Sequence, residues 1–307
     1  MAMFLIDNNE TTDPALNLAL EEYCLRNLDP GYAYVLFYIN RPSVIIGRHQ
    51  NPFQEYNHKL AQCSRIRLVR RISGGGAVYH DAGNLNFSFI TDFTAQRLDY
   101  FKTLLTPIIN TLRRLGVPVR LTEKNNMRVD GDKVSGNSQH TDMRRMLSHG
   151  TLLFDSDLNV LQRALDSHEV ITQSRAVASI RSPVTNISQH LHHPMGMQAF
   201  RAAVADGVSD AFGPLDPYRL TAQDWAAIRR LVQKKYDSWD WTFGRSPAFA
   251  VEHEIGVASG KVDVRLFVNH GIIEGAEPVD RRAELSSLHH LFESIIGRRY
   301  DVWCLQS

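Results

Sequence analysis

The chain has 307 residues, 43% hydrophobic and 22% charged, and its 34 Lys and Arg nearly cancel its 33 Asp and Glu to leave a net charge of +1. This composition excludes disorder as the main state, and the charge balance argues against a nucleic-acid scaffold or a polybasic membrane anchor. No apolar run approaches the roughly 18 residues of a membrane span, the first ten residues lack the pattern of a signal peptide, and three scattered cysteines, Cys24, Cys63 and Cys304, predict a reducing, cytoplasmic setting without a disulfide framework.

At about 150 residues per domain the length predicts two domains, or one with an appendage. Phe4–Ile6 reads as a short strand. Asp13-Pro14 then reads as an N-cap followed by proline at the first helical position, and Leu16, Leu20, Tyr23 and Cys24 give the helix an apolar stripe. Strands are predicted over 34–38, 43–47 and 68–71, and after a run of glycines over 77–79 and 85–90. A helix over about 95–115 is predicted from Phe101, Leu104, Leu105, Ile108, Leu112 and Leu115, with Gly116 ending it. Asp130-Gly131, between Met127–Val129 and Lys133–Ser135, favours a type I′ hairpin turn. Residues 146–154 read as a further strand. Thr221 and Asp224 have capping-box spacing at the start of a helix carrying Trp225, Ile228, Leu231 and Val232. Composition shifts at 237–247, where a domain boundary is predicted. Beyond it, Val262, Val264, Leu266 and Val268 alternate as in a half-buried strand, Asn269-His270-Gly271 turns, and a last helix carries Leu285, Leu288, Leu291, Phe292 and Ile295.

The most informative stretch is Arg70-Arg71-Ile72-Ser73-Gly74-Gly75-Gly76-Ala77-Val78-Tyr79-His80-Asp81. Three successive glycines are costly within a helix or strand and belong where the backbone must approach something closely. Their N–H groups can line a phosphate or carboxylate, and two arginines beside them can add charge-assisted contacts. The same residues also fit a glycine-rich turn beside surface arginines. No Gly-Lys-Ser/Thr follows, so the segment is not a P-loop, and it lacks the spacing and the following helix of a dinucleotide-binding turn. Ser73 has no nucleophile elbow, and adjacent His80 and Asp81 would point to opposite faces of a strand, which argues against a serine triad. Lys133, just past the hairpin turn, can set a point charge at a phosphate or acyl oxygen, or be an ordinary solvated lysine. At His149-Gly150-Thr151 a glycine again permits close approach.

Taken together, Arg70-Arg71-x-Ser73-Gly74-Gly75-Gly76-Ala77-Val78-x-His80-Asp81-x-Gly83-Asn84-Leu85-Asn86 resembles the signature of the lipoate–protein ligase A family. Lys133-Val134-Ser135-Gly136 resembles its lysine motif and His149-Gly150-Thr151 the strand that follows; Ile46-Gly47-Arg48-x-Gln50-Asn51-Pro52 and Val184-Thr185-Asn186 are further matching pieces. The resemblance covers nearly the whole chain. It implies an α+β fold: a biotin-ligase-like catalytic domain with mixed sheets flanked by helices over residues 1–242, and a small α+β C-terminal accessory domain over 243–307.

The resemblance also implies a two-step reaction. Lipoate attacks the α-phosphate of ATP to give lipoyl-AMP and pyrophosphate. A lysine of an acceptor domain then takes the acyl group; implied acceptors are lipoyl domains of 2-oxoacid dehydrogenase complexes and the glycine-cleavage H protein. Gly75, Gly76, Ala77 and Val78 are expected as donors or walls around the adenylate, Arg71 at the ATP phosphates, Arg70 near the lipoyl carboxylate, and Lys133 at both the α-phosphate and the lipoyl carbonyl. Ser73, Gly74, Tyr79, Asn84, Ser135, Gly136, His149, Gly150 and Thr151 complete the implied ATP and lipoyl-adenylate set. Magnesium is expected only as the counter-ion of ATP, with no protein ligand assigned, because Asn126 stands where many family members carry Asp. The segment from Gly275 to Ser287 departs from the Gly-Asp-Phe-Phe pattern of ligase tails.

Three other readings compete. Transfer through a cysteine thioester is disfavoured, since no cysteine lies between Cys63 and Cys304. A transferase using preformed lipoyl-AMP, and a non-catalytic regulator that binds lipoyl-adenylate, share the same motifs. The histidines at 190, 192, 193, 289 and 290 lack cysteines at zinc-site spacing and read as loop or surface residues. A nucleic-acid or membrane partner is not expected, and the chain is expected to act as a monomer.

Overall fold

The computed structural model describes residues 2–58, 60, 64–93, 100–123, 125–167, 170–257, 260–280 and 285–300. The first part runs β1 (Met3–Ile6), α1 (Pro14–Asn27), β2 (Ala33–Ile39), β3 (Ser43–Ile46), α2 (Pro52–Glu55), β4 (Arg67–Arg70), β5 (Val78–His80) and β6 (Asn84–Asp92). Then follow α3 (Tyr100–Arg114), β7 (Arg120–Leu121), β8 (Met127–Val129), β9 (Asp132–Ser135), β10 (Asn137–Thr141), β11 (Arg145–Leu153), α4 (Leu158–Ala164) and β12 (Val170–Ser174). The last part holds α5 (Met197–Phe212), β13 (Asp216–Tyr218), α6 (Ala222–Leu231), α7 (Trp239–Thr242), β14 (Phe249–Val257), β15 (Gly260–Asn269), β16 (Ile272–Pro278) and α8 (Leu285–Ile295).

The sequence cues act as local chemistry predicts. Asp13 accepts hydrogen bonds from the Ala15 and Leu16 amides at 2.9 and 3.1 Å, and so caps α1. Thr221 and Asp224 form the reciprocal capping box of α6. Asp130 (φ 50°) and Gly131 (φ 95°) both take the positive φ that a type I′ turn requires. The expected start of the 95–115 helix lies partly outside the described residues.

The central sheet has the order β10-β11-β6-β2-β1-β13. Period-two alternation gives each strand two buried faces. On β2, Val35 and Phe37 face α3 and α5 in a core with Phe87, Phe89, Leu104, Ile108, Phe200 and Val204. Tyr34, Leu36 and Tyr38 face α1 and α6 in a second core with Leu18, Ala19, Leu25, Trp225 and Ile228. A small sheet of order β4-β3-β5 packs its outer face against α4. The sheet β12-β14-β15-β16 carries its own core with α8, and takes Phe53 from α2. Thus the final sheet borrows β12 from the earlier part of the chain.

Asp13 also receives Arg41 and Arg67, each at 2.6 Å, so one side chain ties α1 to the strands beside it. Asp13→Ala is expected to lower stability by about 1 kcal/mol, chiefly through loss of the cap, as read by denaturant titration. An unchanged midpoint would show that the cap contributes nothing.

Candidate active site

The second face of the central sheet opens into a cavity of about 310 Å³. Its walls are the glycine loop and β5 on one side, Lys133 and 136–138 on another, and the 177–180 segment across the top; Leu18, Tyr38, Ile45, Asn86 and His149 line the remainder. The sheet period explains the choice of residues: Leu147, His149 and Thr151 share one face of β11, and Val78 and His80 share one face of β5.

The glycine loop is held by its carbonyls. Arg71 Nη2 donates to the carbonyls of Gly74 and Gly76 at 2.6 and 2.8 Å, Nη1 to Ile45 at 3.0 Å, and Nε to Ser73 Oγ at 3.0 Å. Ser138 Oγ donates to the Gly74 carbonyl at 3.0 Å, and the Ala77 amide donates to Ser179 Oγ at 2.9 Å. With the carbonyls anchored on the protein, the Gly75 and Gly76 amides make no hydrogen bond to any described residue. Both glycines line the cavity. Gly75 has φ +88°, and a Cβ at Gly47 would lie 2.1 Å from the Gly75 carbonyl oxygen, so side chains are excluded on both sides of this contact.

Lys133 faces the loop from β9. Its backbone is fixed by Pro183 and Thr185, at 2.9 and 3.2 Å. Its ammonium has no hydrogen bond or ion pair among the described residues, and burial, with Arg128 and Arg71 nearby, lowers its pKa from the ordinary lysine value. Among the described residues, the cavity lining contains no Asp or Glu. An uncompensated cation beside free amides is suited to an anion, and above all to one whose charge grows during reaction.

Of the residues expected at the site, Arg71, Gly75, Gly76, Ala77, Val78, Lys133, Gly136, His149, Gly150 and Thr151 line this cavity. Arg70 does not. It is fully buried and donates to the carbonyls of Gly47, Arg48, Gln50, Trp241 and Thr242, at 2.5 to 3.1 Å. Adjacent positions on a strand end point oppositely, so Arg70 braces the turn behind the loop against α7 while Arg71 reaches the cavity side. Burial pushes the pKa of each guanidinium down to about 10.

Tyr79, by the same alternation, points into the core under β3. Ser73 and Gly74 do not line the cavity. Asn84 donates to Asn86 at 3.0 Å, and it is Asn86 that meets the cavity. Ser135 is buried beside Asn137, another lining residue. Asn126 does line the cavity.

One arrangement spans distant sequence. Ser73 Oγ and His149 Nε2 share a hydrogen bond at 2.7 Å, His149 Nδ1 meets the Glu21 carboxylate at 2.9 Å, and Tyr38 donates to Glu21 at 3.0 Å. The sequence argued against a serine triad, yet these groups have its connectivity. Ser73, however, is fully buried, accepts from Arg71 Nε and does not line the cavity, so the chain positions Arg71 and holds no nucleophile. Sequence reasoning missed Glu21, Tyr38 and the 177–180 segment, which only tertiary contacts bring here; Asn137 and Ser138 belong to the lysine stretch that the sequence singles out, and the alternation of β5 could have placed His80. Outside the cavity, His289, His290 and Glu293 cluster within 4.8 Å on the exposed surface of α8.

The sequence pattern of the lipoyl protein ligase A/B catalytic domain matches residues 13–209. The chain belongs to this family. It is 40% identical over 301 residues to the lipoate-protein ligase LplJ of Bacillus subtilis, covering 97% of this chain and 91% of that protein. Among solved structures, lipoate-protein ligase A bound with ATP is similar at a TM-score of 0.69 and 27% identity, over 79% of this chain and 98% of that one. A lipoate ligase-like protein of T. acidophilum with bound lipoic acid is similar at a TM-score of 0.69 and 27% identity, over 80% and 99% of the two chains. The α+β fold expected from the sequence, with mixed sheets flanked by helices, is the fold observed, and it is the fold of these lipoate ligase structures.

Two substitutions separate brace from cavity wall. Arg70→Met is expected to destabilise the protein by at least about 3 kcal/mol, because several buried carbonyls lose their donor. Lys133→Ala is expected to fold normally and to lose roughly 100- to 1,000-fold in turnover, the scale of removing one preorganised donor. Circular dichroism melts with ligation assays check both; near-full activity in Lys133→Ala would contradict the assignment.

Proposed function

We propose that this protein is an ATP-dependent lipoate–protein ligase that activates lipoate as lipoyl-AMP and transfers the lipoyl group to a lysine of lipoyl-domain proteins. The observation that carries this reading is the pairing, in one cavity, of the Gly75 and Gly76 amides and the Lys133 ammonium, none with a hydrogen-bond partner among the described residues, with apolar walls from Leu18, Ile45 and Val78. An acyl-adenylate has these two halves, an anionic phosphoanhydride and an aliphatic chain. The family membership, and the lipoic acid and ATP bound by the similar solved structures, support the substrates.

In the first step a carboxylate oxygen of lipoate forms a bond to the α-phosphorus as the bond to pyrophosphate breaks. Negative charge builds on the α-phosphate oxygens, where the loop amides and Lys133 can meet it without reorganising. In the second step an acceptor ε-amine attacks the acyl carbonyl, loses a proton, and AMP leaves. Lys133 is the group suited to serve both steps, since the phosphate and carbonyl oxygens are adjacent in the mixed anhydride. Arg71, with its donors engaged by loop carbonyls, acts by fixing the amides.

A protein-held magnesium ion does not fit the described lining, which offers amide oxygens from Asn126 and Asn137 but, among the described residues, no carboxylate. Magnesium therefore belongs with the ATP phosphates, as their counter-ion. Thioester transfer fits poorly as well: Cys24 is fully buried and burial pushes its thiol well above the ordinary range. Cys63 and Cys304 lie outside the described residues.

The division into a catalytic domain over 1–242 and an accessory domain over 243–307 is part of this proposal, with β12 joining the two through the accessory sheet. So are the acceptors, lipoyl domains of 2-oxoacid dehydrogenase complexes and glycine-cleavage H protein, and a monomeric, cytoplasmic enzyme. No described helix is long and apolar enough to cross a membrane.

The test is lipoate-dependent exchange of labelled pyrophosphate into ATP, followed by addition of an acceptor domain. Exchange and a mass increase of one lipoyl group on the acceptor lysine are expected. Transfer from synthetic lipoyl-AMP without exchange would instead identify a transferase, and binding without either reaction a regulator.

A further inference from the structure

Lys133 does not stand alone on its sheet. In the three-stranded sheet β7-β8-β9, Lys133 pairs with Arg128 on β8, and Arg128 pairs with Arg120 on β7. Residues directly opposite on paired strands share a face. Met127, Val129 and Val134 turn to the core on the other face, so the three cations form one row on the side from which Lys133 meets the cavity. Arg128 is half-buried and Arg120 exposed.

Like charges set opposite each other on paired strands destabilise a sheet. Two such pairs follow in succession here, and none of the ion pairs among the described residues involves Lys133, Arg128 or Arg120. Arg128 Nη1 donates to the Gly131 carbonyl and braces the hairpin turn, while its Nε and Nη2 meet no acceptor among the described residues. Burial first, and then the charge of Arg128, lower the pKa of Lys133, so the two cations act on one another. Asn126, two positions before Arg128, lines the cavity and offers no negative charge to either. A cationic row without counter-charge suits a polyanion.

The direction of the row says which polyanion. Leu18, Ile45 and Val78 give the cavity an apolar wall for an acyl chain, and the 177–180 segment crosses its top. From Lys133 the row instead leads outward over β8. Paired strands lie about 4.8 Å apart, so a chain of phosphates that starts at Lys133 passes Arg128 next.

We propose that Arg128 binds the β- and γ-phosphates of ATP, and the pyrophosphate that they become, with Arg120 as a weaker outer contact. This rests on the ligase reading. As the lipoate carboxylate bonds to the α-phosphorus, the bond from that phosphorus to the bridging oxygen breaks, and pyrophosphate leaves with the electron pair. The Arg128 guanidinium meets the charge that grows on the leaving group, as Lys133 meets the charge on the α-phosphate. Once pyrophosphate has gone, Arg128 touches nothing that reacts in the second step.

The two half-reactions therefore separate the role from a structural one. Synthetic lipoyl-AMP is offered either with pyrophosphate, to form ATP and lipoate, or with an acceptor lipoyl domain, to form the amide. Arg128→Gln can still donate to the Gly131 carbonyl, so it keeps the turn and removes the charge. It is expected to raise the KM for pyrophosphate, and the KM for ATP in the forward direction, by about tenfold or more, the scale of a hydrogen bond to a charged group. The KM for lipoate and the rate of transfer from lipoyl-AMP should stay unchanged. Arg128→Lys should recover part of the loss, and Arg120→Ala should give a smaller rise of the same kind. An unchanged KM for pyrophosphate in Arg128→Gln overturns the assignment, and so does an equal loss in the transfer half-reaction, which would mark a structural role. Should Arg128→Gln fail to fold, the KM for pyrophosphate in Arg128→Lys and Arg120→Ala decides by the same criterion. Unsubstituted protein that transfers from lipoyl-AMP yet forms no ATP from it with pyrophosphate sinks the ligase reading and this inference with it.

Discussion

The guanidinium of Arg71 takes up the carbonyls of Gly74, Gly76 and Ile45, and the rest of the site depends on that anchoring. A peptide unit whose oxygen is tied to the protein has its N–H on the opposite side. Fixing the Gly74 carbonyl therefore turns the Gly75 amide away from the clamp and leaves it free for an anion. The arginine that resembles a phosphate ligand in the sequence lines the cavity and also clamps the carbonyls of its glycine loop. Ser73, His149, Glu21 and Tyr38 extend the clamp in one continuous hydrogen-bonded chain from the loop to α1 and β2. Within a low-dielectric interior such a chain holds its members rigidly only when each is satisfied, and here each donor meets an acceptor.

Arg70 and Arg71 illustrate how one strand end supplies two kinds of support. Arg70 gathers the carbonyls of the 47–50 turn and of α7, and the Trp241 indole returns a hydrogen bond to the Arg70 carbonyl at 2.7 Å. The turn that it braces places Gly47 against Gly75. One arginine thus supports the loop from behind while the other holds it from the side. Lys133 completes the cavity from a separate hairpin, whose register is set by a tight turn at Asp130-Gly131.

The sequence was most legible where short-range chemistry governs. The Asp13 cap, the Thr221–Asp224 box, the 130–131 turn and the alternating strand of residues 260–269 follow from spacing alone, and the glycine and lysine motifs both line the cavity. It was less legible where the answer depended on which face a side chain takes. Tyr79 was expected in the site and His80 was not; alternation on β5 reverses the two. Glu21 and His149 meet across 128 positions, and no local pattern encodes such a contact. The 177–180 segment has no periodicity of its own and is recruited by Ser179, which accepts from the Ala77 amide and from Gln50.

The most direct test is a crystal structure with a non-hydrolysable analogue of lipoyl-adenylate, in which a sulfamate replaces the phosphate. The sulfamate oxygens should lie within hydrogen-bond distance of the Gly75 and Gly76 amides and of Lys133 Nζ, with the aliphatic chain running between Leu18, Ile45 and Val78. An analogue seated away from those amides, or a cavity left unchanged at saturating analogue, would contradict the account.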